Sequence, residues 1–144
     1  MVKQDKNMIT RFLLYGIVGW TAEVLWTGFG SLLETDFRLT SQTYLWMFFI
    51  YGLALFLEPI HDTIRPLHWL YRGSIYMFLI MSVEYLSGWL LSETIGMCPW
   101  DYGNQAFSVH GFIRLDYAPV WFGAGLIFER LHDFLDRIMW RLTV

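Results

Sequence analysis

Four long apolar stretches alternate with short polar connections along the chain. Each approaches the roughly 20 residues that a helix needs to span a bilayer. The stretches cover approximately residues 8–33, 44–65, 68–95 and 116–142, and a polar and aromatic loop covers 96–115. The second should end before Pro66, because proline disfavours helical geometry in the residue before it. The pattern predicts an all-α integral membrane four-helix bundle in up-down-up-down order, a single transmembrane domain (1–144) made of two pseudo-repeated hairpins.

The composition supports a membrane protein and excludes several other classes. Hydrophobic residues make up 56% of the chain, above the roughly 45–50% of soluble domains. The net charge of -3 is small, and no basic block interleaves with aromatic residues as a nucleic-acid groove requires. Cys98 is the only cysteine, which rules out an internal disulfide and a thiolate metal cluster. The first apolar stretch is too long for a signal peptide and is expected to stay in the membrane.

The basic residues predict the orientation. Eight of the ten lie in segments that the four-helix order places on one side, and only Arg38 and Arg114 lie on the other. Because Lys and Arg concentrate in cytoplasmic segments, both termini are expected in the cytoplasm, and the loop 96–115 faces outward.

Four glutamates lie within the apolar stretches, one on each: Glu23, Glu58, Glu84 and Glu129. A charge at the centre of a membrane helix costs about 2.5–3.5 kcal/mol, so all four are expected to face the protein interior. Glycine or alanine lies one turn from each glutamate and would let helices approach closely.

A second regularity adds two histidines. Glu58-Pro-Ile-His61-Asp62 and Glu129-Arg-Leu-His132-Asp133 repeat one Glu-x-x-His-Asp pattern, whereas composition predicts about 0.17 Glu-x-x-His pairs by chance. Four-helix di-iron and di-manganese proteins use a Glu from each of two helices and Glu-x-x-His from the other two.

The sequence therefore predicts a site for iron, manganese or zinc, with these ligands: Glu23, Glu58, His61, Glu84, Glu129 and His132. One metal pair and a cytoplasmic Glu58/His61/Glu129/His132 cluster with a separate Glu23/Glu84 pair are equally compatible with the spacing. Alternatively, these groups pair with one another or with Arg65 and Arg130, or form a path for protons or cations. Asp62 and Asp133 would be exposed or would orient the histidine rings.

The outer loop is too aromatic for a flexible linker. It contains the candidate substrate or lid residues Trp100, Asp101, Tyr102 and Arg114. We expect an interfacial cap with Trp100 and Tyr102 at headgroup level and an Asp101–Arg114 pair; a substrate-gathering lid is the alternative. Cys98 with His110 is a weak nucleophile candidate.

Several of these residues occur in a known family. They include Leu14-Tyr15-Gly16, Gly19-Trp20, Glu23, Ile50-Tyr51-Gly52, Glu84-Tyr85, Gly88, Trp100-Asp101-Tyr102, Gly111, Trp121 and His132. On these residues the chain resembles the bacterial ABC-transporter type IV permease family over most of its length. It diverges in the first loop, which lacks the family's Asn-Arg-Gly and Gly-Pro segments, and at Gly111-Phe112-Ile113. The resemblance implies a permease-like, multi-pass subunit of the bacterial cytoplasmic membrane.

Three functions remain open at this point: a permease-like protein whose Glu/His cluster handles a metal ion, a cation or a proton; a membrane-embedded dinuclear iron or manganese redox enzyme; and a non-catalytic scaffold or partner subunit. No catalytic residue can be assigned. The chain has no phosphate-binding loop of the Gly-x-x-x-x-Gly-Lys-Ser/Thr type, so any ATPase would be a separate chain. Besides the lipid bilayer, we expect a homo-oligomer or other membrane subunits as partners.

Overall fold

The computed structural model describes the backbone of residues 2–33 and 35–143 and the side chains of 8–33 and 35–138. The side chains of Lys3, Lys6 and Arg141, used in the charge comparison, lie outside the described residues. The helices are α1 (Val2–Leu33), α2 (Leu45–Gly52), α3 (Glu58–Ile64), α4 (Trp69–Ile95) and α5 (Ala118–Thr143). The strands β1 (Ser108–Val109) and β2 (Ile113–Arg114) form one short antiparallel hairpin. The all-α prediction is confirmed.

Three helical segments are long and apolar enough to cross a membrane, judged by length and composition over the described residues: Met8–Leu33, Leu45–Ile64 and Trp69–Ile95. α5 is not among them, because charged residues recur from Glu129 onward and lower its hydropathy. That the fourth helix also crosses the membrane stays a prediction.

The second span changes its hydrogen bonding in the middle. A 3-10 segment (Leu53–Leu57) separates α2 from α3, and Pro59 lies in the first turn of α3. Proline has no N–H to donate to the carbonyl four residues earlier, here that of Leu55. The tighter 3-10 turn therefore occurs where one α-helical hydrogen bond is missing.

The chain divides into two compact units, Met1–Phe56 and Leu57–Val144. This division falls within the second predicted membrane stretch (44–65), because α3 belongs with the second unit. That the whole chain is a single domain stays a prediction.

In the first unit, α1 and α2 pack through glycines. A Cβ atom built on Gly16 would lie 2.7 Å from the Phe48 carbonyl oxygen, and one on Gly19 would lie 2.5 Å from Cγ of Tyr51. The predicted role of Gly19 as a close-approach residue is therefore confirmed.

In the second unit, α4 packs against α5 through two further glycines. Cβ atoms at Gly73 and Gly125 would lie 2.4 Å from the ring of Phe122 and 2.2 Å from Cβ of Tyr76, respectively. Tyr76 is fully buried by this packing. The turn before α4 contains Pro66, and His68 caps the helix by accepting from the Leu70 amide at 3.4 Å.

The outer loop folds on itself above α4. Trp100 is only 5% exposed and donates from Nε1 to the Phe112 carbonyl at 3.0 Å, so it forms the core of the loop. That Trp100 and Tyr102 lie at headgroup level stays a prediction. The predicted Asp101–Arg114 pair is wrong. Asp101 instead accepts from the Gly103 amide at 2.7 Å, and Arg114 pairs with Asp116 at 2.6 Å. Both observed contacts join residues that are closer in sequence, so each closes a shorter loop and loses less chain entropy.

Candidate functional site: two interlocked Glu-x-x-His-Asp copies

The two Glu-x-x-His-Asp copies meet within the second unit and exchange partners. Oε1 of Glu58 lies 3.4 Å from Nδ1 of His132, and Oε1 of Glu129 lies 3.6 Å from Nδ1 of His61. The two imidazole rings are 5.1 Å apart, centroid to centroid, and nearly perpendicular. Each glutamate therefore faces the histidine of the other copy.

The aspartates extend the same exchange. Oδ1 of Asp133 lies 3.6 Å from Nε2 of His61, and Oδ1 of Asp62 lies 3.9 Å from Nε2 of His132. Each imidazole thus has a glutamate at Nδ1 and an aspartate at Nε2, both from the opposite copy. This arrangement has approximate two-fold symmetry, which the repeated sequence pattern indicated.

Helical spacing explains why these groups meet. In α3 and α5, residues three and four apart share one face, so the Glu, His and Asp of each copy project together. Burial differs along that face: the side chains of His61 and His132 are 3% and 4% exposed, whereas that of Asp62 is 68% exposed. The cluster therefore runs from the interior of the unit to its surface.

Two aromatic residues hold the histidines. The Tyr76 hydroxyl lies 2.9 Å from Nδ1 of His61, and both groups are buried. Phe128 stacks on His132 with an interplanar angle of 16° and 6.0 Å between ring centroids. Since Tyr76 is positioned by its contact with Gly125, the α4–α5 packing and the cluster geometry depend on one another.

Arg72 is the residue that the sequence analysis missed. Its Nε and Nη2 lie 2.8 Å and 3.0 Å from the two carboxylate oxygens of Glu129. Its Nη1 also donates to the carbonyls of Arg65 and Leu67 in the turn before α4, at 3.2 Å and 3.0 Å. The buried Glu129 therefore takes its counter-charge from α4, through a hydrogen bond from Nη2 and a close charge contact with Nε. The sequence offered Arg65 and Arg130 as partners of the buried groups, but not Arg72.

Arg65, the other expected partner, does join the cluster. Its Nη2 makes a short contact with Oδ1 of Asp133 and lies 2.8 Å from Nε2 of His61. A guanidinium only donates hydrogen bonds, so Nε2 of His61 must accept and its proton must lie on Nδ1.

Glu84, another predicted ligand, lies elsewhere in the second unit. It is buried near the outer loop, where the Tyr102 hydroxyl donates to it at 3.4 Å. It is eight residues along α4 from Tyr76, or about 12 Å at 1.5 Å per residue. Four of the five predicted ligands in the second unit therefore meet. Glu23, the sixth, belongs to the first unit.

Among the side chains that the structure describes, donor atoms compatible with a metal ion come together at one place. His61, Asp62 and His132 each offer a ligand atom, and these atoms lie within 4.8 Å of one another. Mixed imidazole and carboxylate donors suit zinc, iron or manganese. Arg65 and Arg72 already occupy Asp133 and Glu129, however, which leaves fewer anionic ligands than a dinuclear centre needs.

In the outer loop, Arg114 lies over the ring of Tyr117, 4.4 Å from its centroid, and Tyr102 connects the loop to Glu84. Burial raises the pKa of the Cys98 thiol, which disfavours a reactive thiolate. His110 is hydrogen-bonded to the Tyr85 hydroxyl at 2.8 Å. These contacts weaken the nucleophile hypothesis, and the lid role of the loop stays a prediction.

Comparison with known proteins identifies the family. No solved structure matches the chain. A family model described as "Putative ABC-transporter type IV" matches residues 10–143, which include both Glu-x-x-His-Asp copies and the outer loop. The family that the sequence resemblance indicated is therefore confirmed, and this small, transport-related membrane protein belongs to the ABC-transporter type IV family.

Proposed function

We propose that this chain is a permease-like membrane subunit in which the cluster of Glu58, His61, Glu129 and His132 takes up and releases a cation. The observation that supports this most strongly is the reciprocal exchange of partners between the two copies. Carboxylates and imidazoles buried at such distances are costly unless they share protons or cations. Within a family named for transport, that cost is best explained by ion handling.

The contacts of the cluster favour ion passage over the dinuclear redox enzyme. Guanidinium groups from Arg65 and Arg72 neutralise one side of the cluster, and Glu84 lies about 12 Å along α4 from Tyr76. The remaining donor groups become more exposed to solvent from the buried histidine pair to Asp62. This gradient of exposure suits the exchange of an ion with water.

The proposed setting is the bacterial cytoplasmic membrane, with both termini and the cluster on the cytoplasmic side. The close packing of α5 on α4, with Phe122 against Gly73 and Gly125 against Tyr76, supports α5 as a fourth membrane-embedded helix. Because the chain has no phosphate-binding loop, energy from ATP would come from a separate ATPase subunit. A homo-oligomer or other membrane subunits would complete the permease.

Liposome flux tests this proposal. Purified protein is reconstituted, and proton and Zn²⁺ movements are followed with internal dyes under an imposed membrane potential. We expect flux of one of these ions in the wild type, a loss of at least about tenfold in His132→Gln, and no change in the control Glu93→Gln, whose glutamate is exposed on α4. Unchanged flux in His132→Gln would contradict a role of the cluster in transport, and no flux of either ion would favour the scaffold function.

A further inference from the structure

The two copies of the motif differ at one position that contacts the histidines. Seven residues after Glu58 the chain has Arg65, and seven residues after Glu129 it has Asp136. Both side chains face Nε2 of a cluster histidine: Arg65 that of His61 at 2.8 Å and Asp136 that of His132 at 3.5 Å. A cation in the first copy thus corresponds to an anion in the second.

In the first copy, the contacts of Arg65 show that Nε2 of the histidine and a neighbouring aspartate oxygen can bind a cationic group. One guanidinium nitrogen, Nη2, contacts both Nε2 of His61 and Oδ1 of Asp133. Since that nitrogen carries part of the guanidinium's positive charge, the chain itself places a cation between an imidazole nitrogen and a carboxylate oxygen. Glu129 is balanced in the same way by Arg72.

In the second copy, the corresponding atoms have the spacing of metal ligands. Nε2 of His132 lies 3.9 Å from Oδ1 of Asp62 and 3.5 Å from Oδ2 of Asp136. Both distances exceed those of a hydrogen bond. Two ligands about 2.1 Å from one tetrahedral ion lie about 3.4 Å apart, so each of these two distances is close to the distance between ligands of a single ion.

The charges around His132 point the same way. Three carboxylates face its ring, those of Glu58, Asp62 and Asp136, at 3.4–3.9 Å. Around His61, Arg65 and Arg72 offset Asp133 and Glu129. Three acidic side chains thus face the imidazole of His132, a donor set that suits a divalent transition-metal ion.

We propose that His132, Asp62 and Asp136 bind one first-row divalent transition-metal ion, with zinc as the reference ion. Nε2 of His132 is the nitrogen ligand, and Nδ1 keeps its proton and donates it toward Glu58, as metal-bound histidines do toward carboxylates. Asp62 and Asp136 are 68% and 49% exposed, so the ion reaches the buried histidine from the aqueous side. This inference rests on the proposed cation function and names its ion class.

Zinc binding to tag-free, chelator-treated protein in detergent tests the site. We expect one Zn²⁺ per chain by equilibrium dialysis, no binding in Asp136→Arg, and binding weakened by about 10–100-fold in Glu58→Gln. Asp136→Arg repeats in the second copy the arginine that occupies the first, and because its side chain is exposed the variant should fold. The matched control is His110→Ala, which removes a histidine of the outer loop and should still bind one Zn²⁺.

Three results would overturn the site: no Zn²⁺ in the wild type, unchanged binding in Asp136→Arg, or loss of binding in His110→Ala. Circular dichroism and gel filtration of Asp136→Arg show whether lost binding reflects lost structure, and Asp62→Asn provides a second ligand variant. Dialysis and flux separate the two proposals. Binding without flux would remove the transport function and leave the site, and proton flux without binding would do the reverse.

Discussion

Replacing Gly125 with alanine should weaken the second unit, whereas the same change at Gly123, two residues earlier on α5, should not. A Cβ at Gly125 would lie 2.2 Å from Cβ and 2.7 Å from Cγ of Tyr76, atoms too near the backbone to rotate away. At Gly123 nothing lies within 4 Å of the added carbon in the described part of the chain. The two positions therefore separate steric overlap from helix propensity.

The magnitude follows from these two effects. Alanine in place of glycine favours a helix by up to about 1 kcal/mol, and this applies at both positions. Overpacking costs about 1–3 kcal/mol and applies only at Gly125, so the two variants should differ in unfolding free energy by about that amount. The clash should also move Tyr76 away from Nδ1 of His61, now 2.9 Å from its hydroxyl.

Reversible unfolding in mixed micelles, followed by circular dichroism, measures the difference. Gly123→Ala should match or exceed the wild type in stability, and Gly125→Ala should unfold at a lower denaturant fraction. Equal stability of the two variants would show that α4 and α5 do not pack at the distance described here.

Two further predictions follow from the contacts. Arg72→Ala leaves the buried Glu129 without its guanidinium partner and should cost about 3–5 kcal/mol in the same unfolding assay. Adding Glu129→Gln should restore part of that loss, and an additive double variant would contradict the pairing. Because burial raises the pKa of the Cys98 thiol, its alkylation rate should reach half-maximum at a higher pH than that of an exposed thiol. The comparison thiol is Asn104→Cys in the same loop, measured in a Cys98→Ser background. Identical pH–rate profiles of the two thiols would contradict the burial of Cys98.

Much of this architecture was predictable from the sequence. Uninterrupted apolar runs predicted the helices, and Gly96 marked the end of α4, where it adopts the left-handed conformation with φ of 77°. The doubled Glu-x-x-His-Asp pattern predicted the interlocked cluster, because residues three and four apart must share a helical face. The 3-10 segment before Pro59 was also foreseeable as a weak point of helical hydrogen bonding, though its type was not.

The rest depended on how the helices pack. Arg72 appeared in the sequence only as a basic residue near a helix end, and its contact with Glu129 requires the pairing of α4 with α5. Depth along a helix axis cannot show whether Glu84 reaches a cluster on another helix, which is why the sequence grouped it with ligands that it does not join. The contrast between Arg65 and Asp136 is visible in the sequence, but it has meaning only once both side chains are known to face a histidine.

The most direct test of the cation site exchanges the charges of residues 65 and 136. In the double variant Arg65→Asp/Asp136→Arg, the arginine moves to the second copy and the extra carboxylate to the first. We expect that one Zn²⁺ per chain still binds to the double variant. Adding His61→Ala should abolish this binding, and adding His132→Ala should not. Loss of all binding in the double variant, or continued dependence on His132, would contradict the claim that these paired copies hold a cation through their local charge.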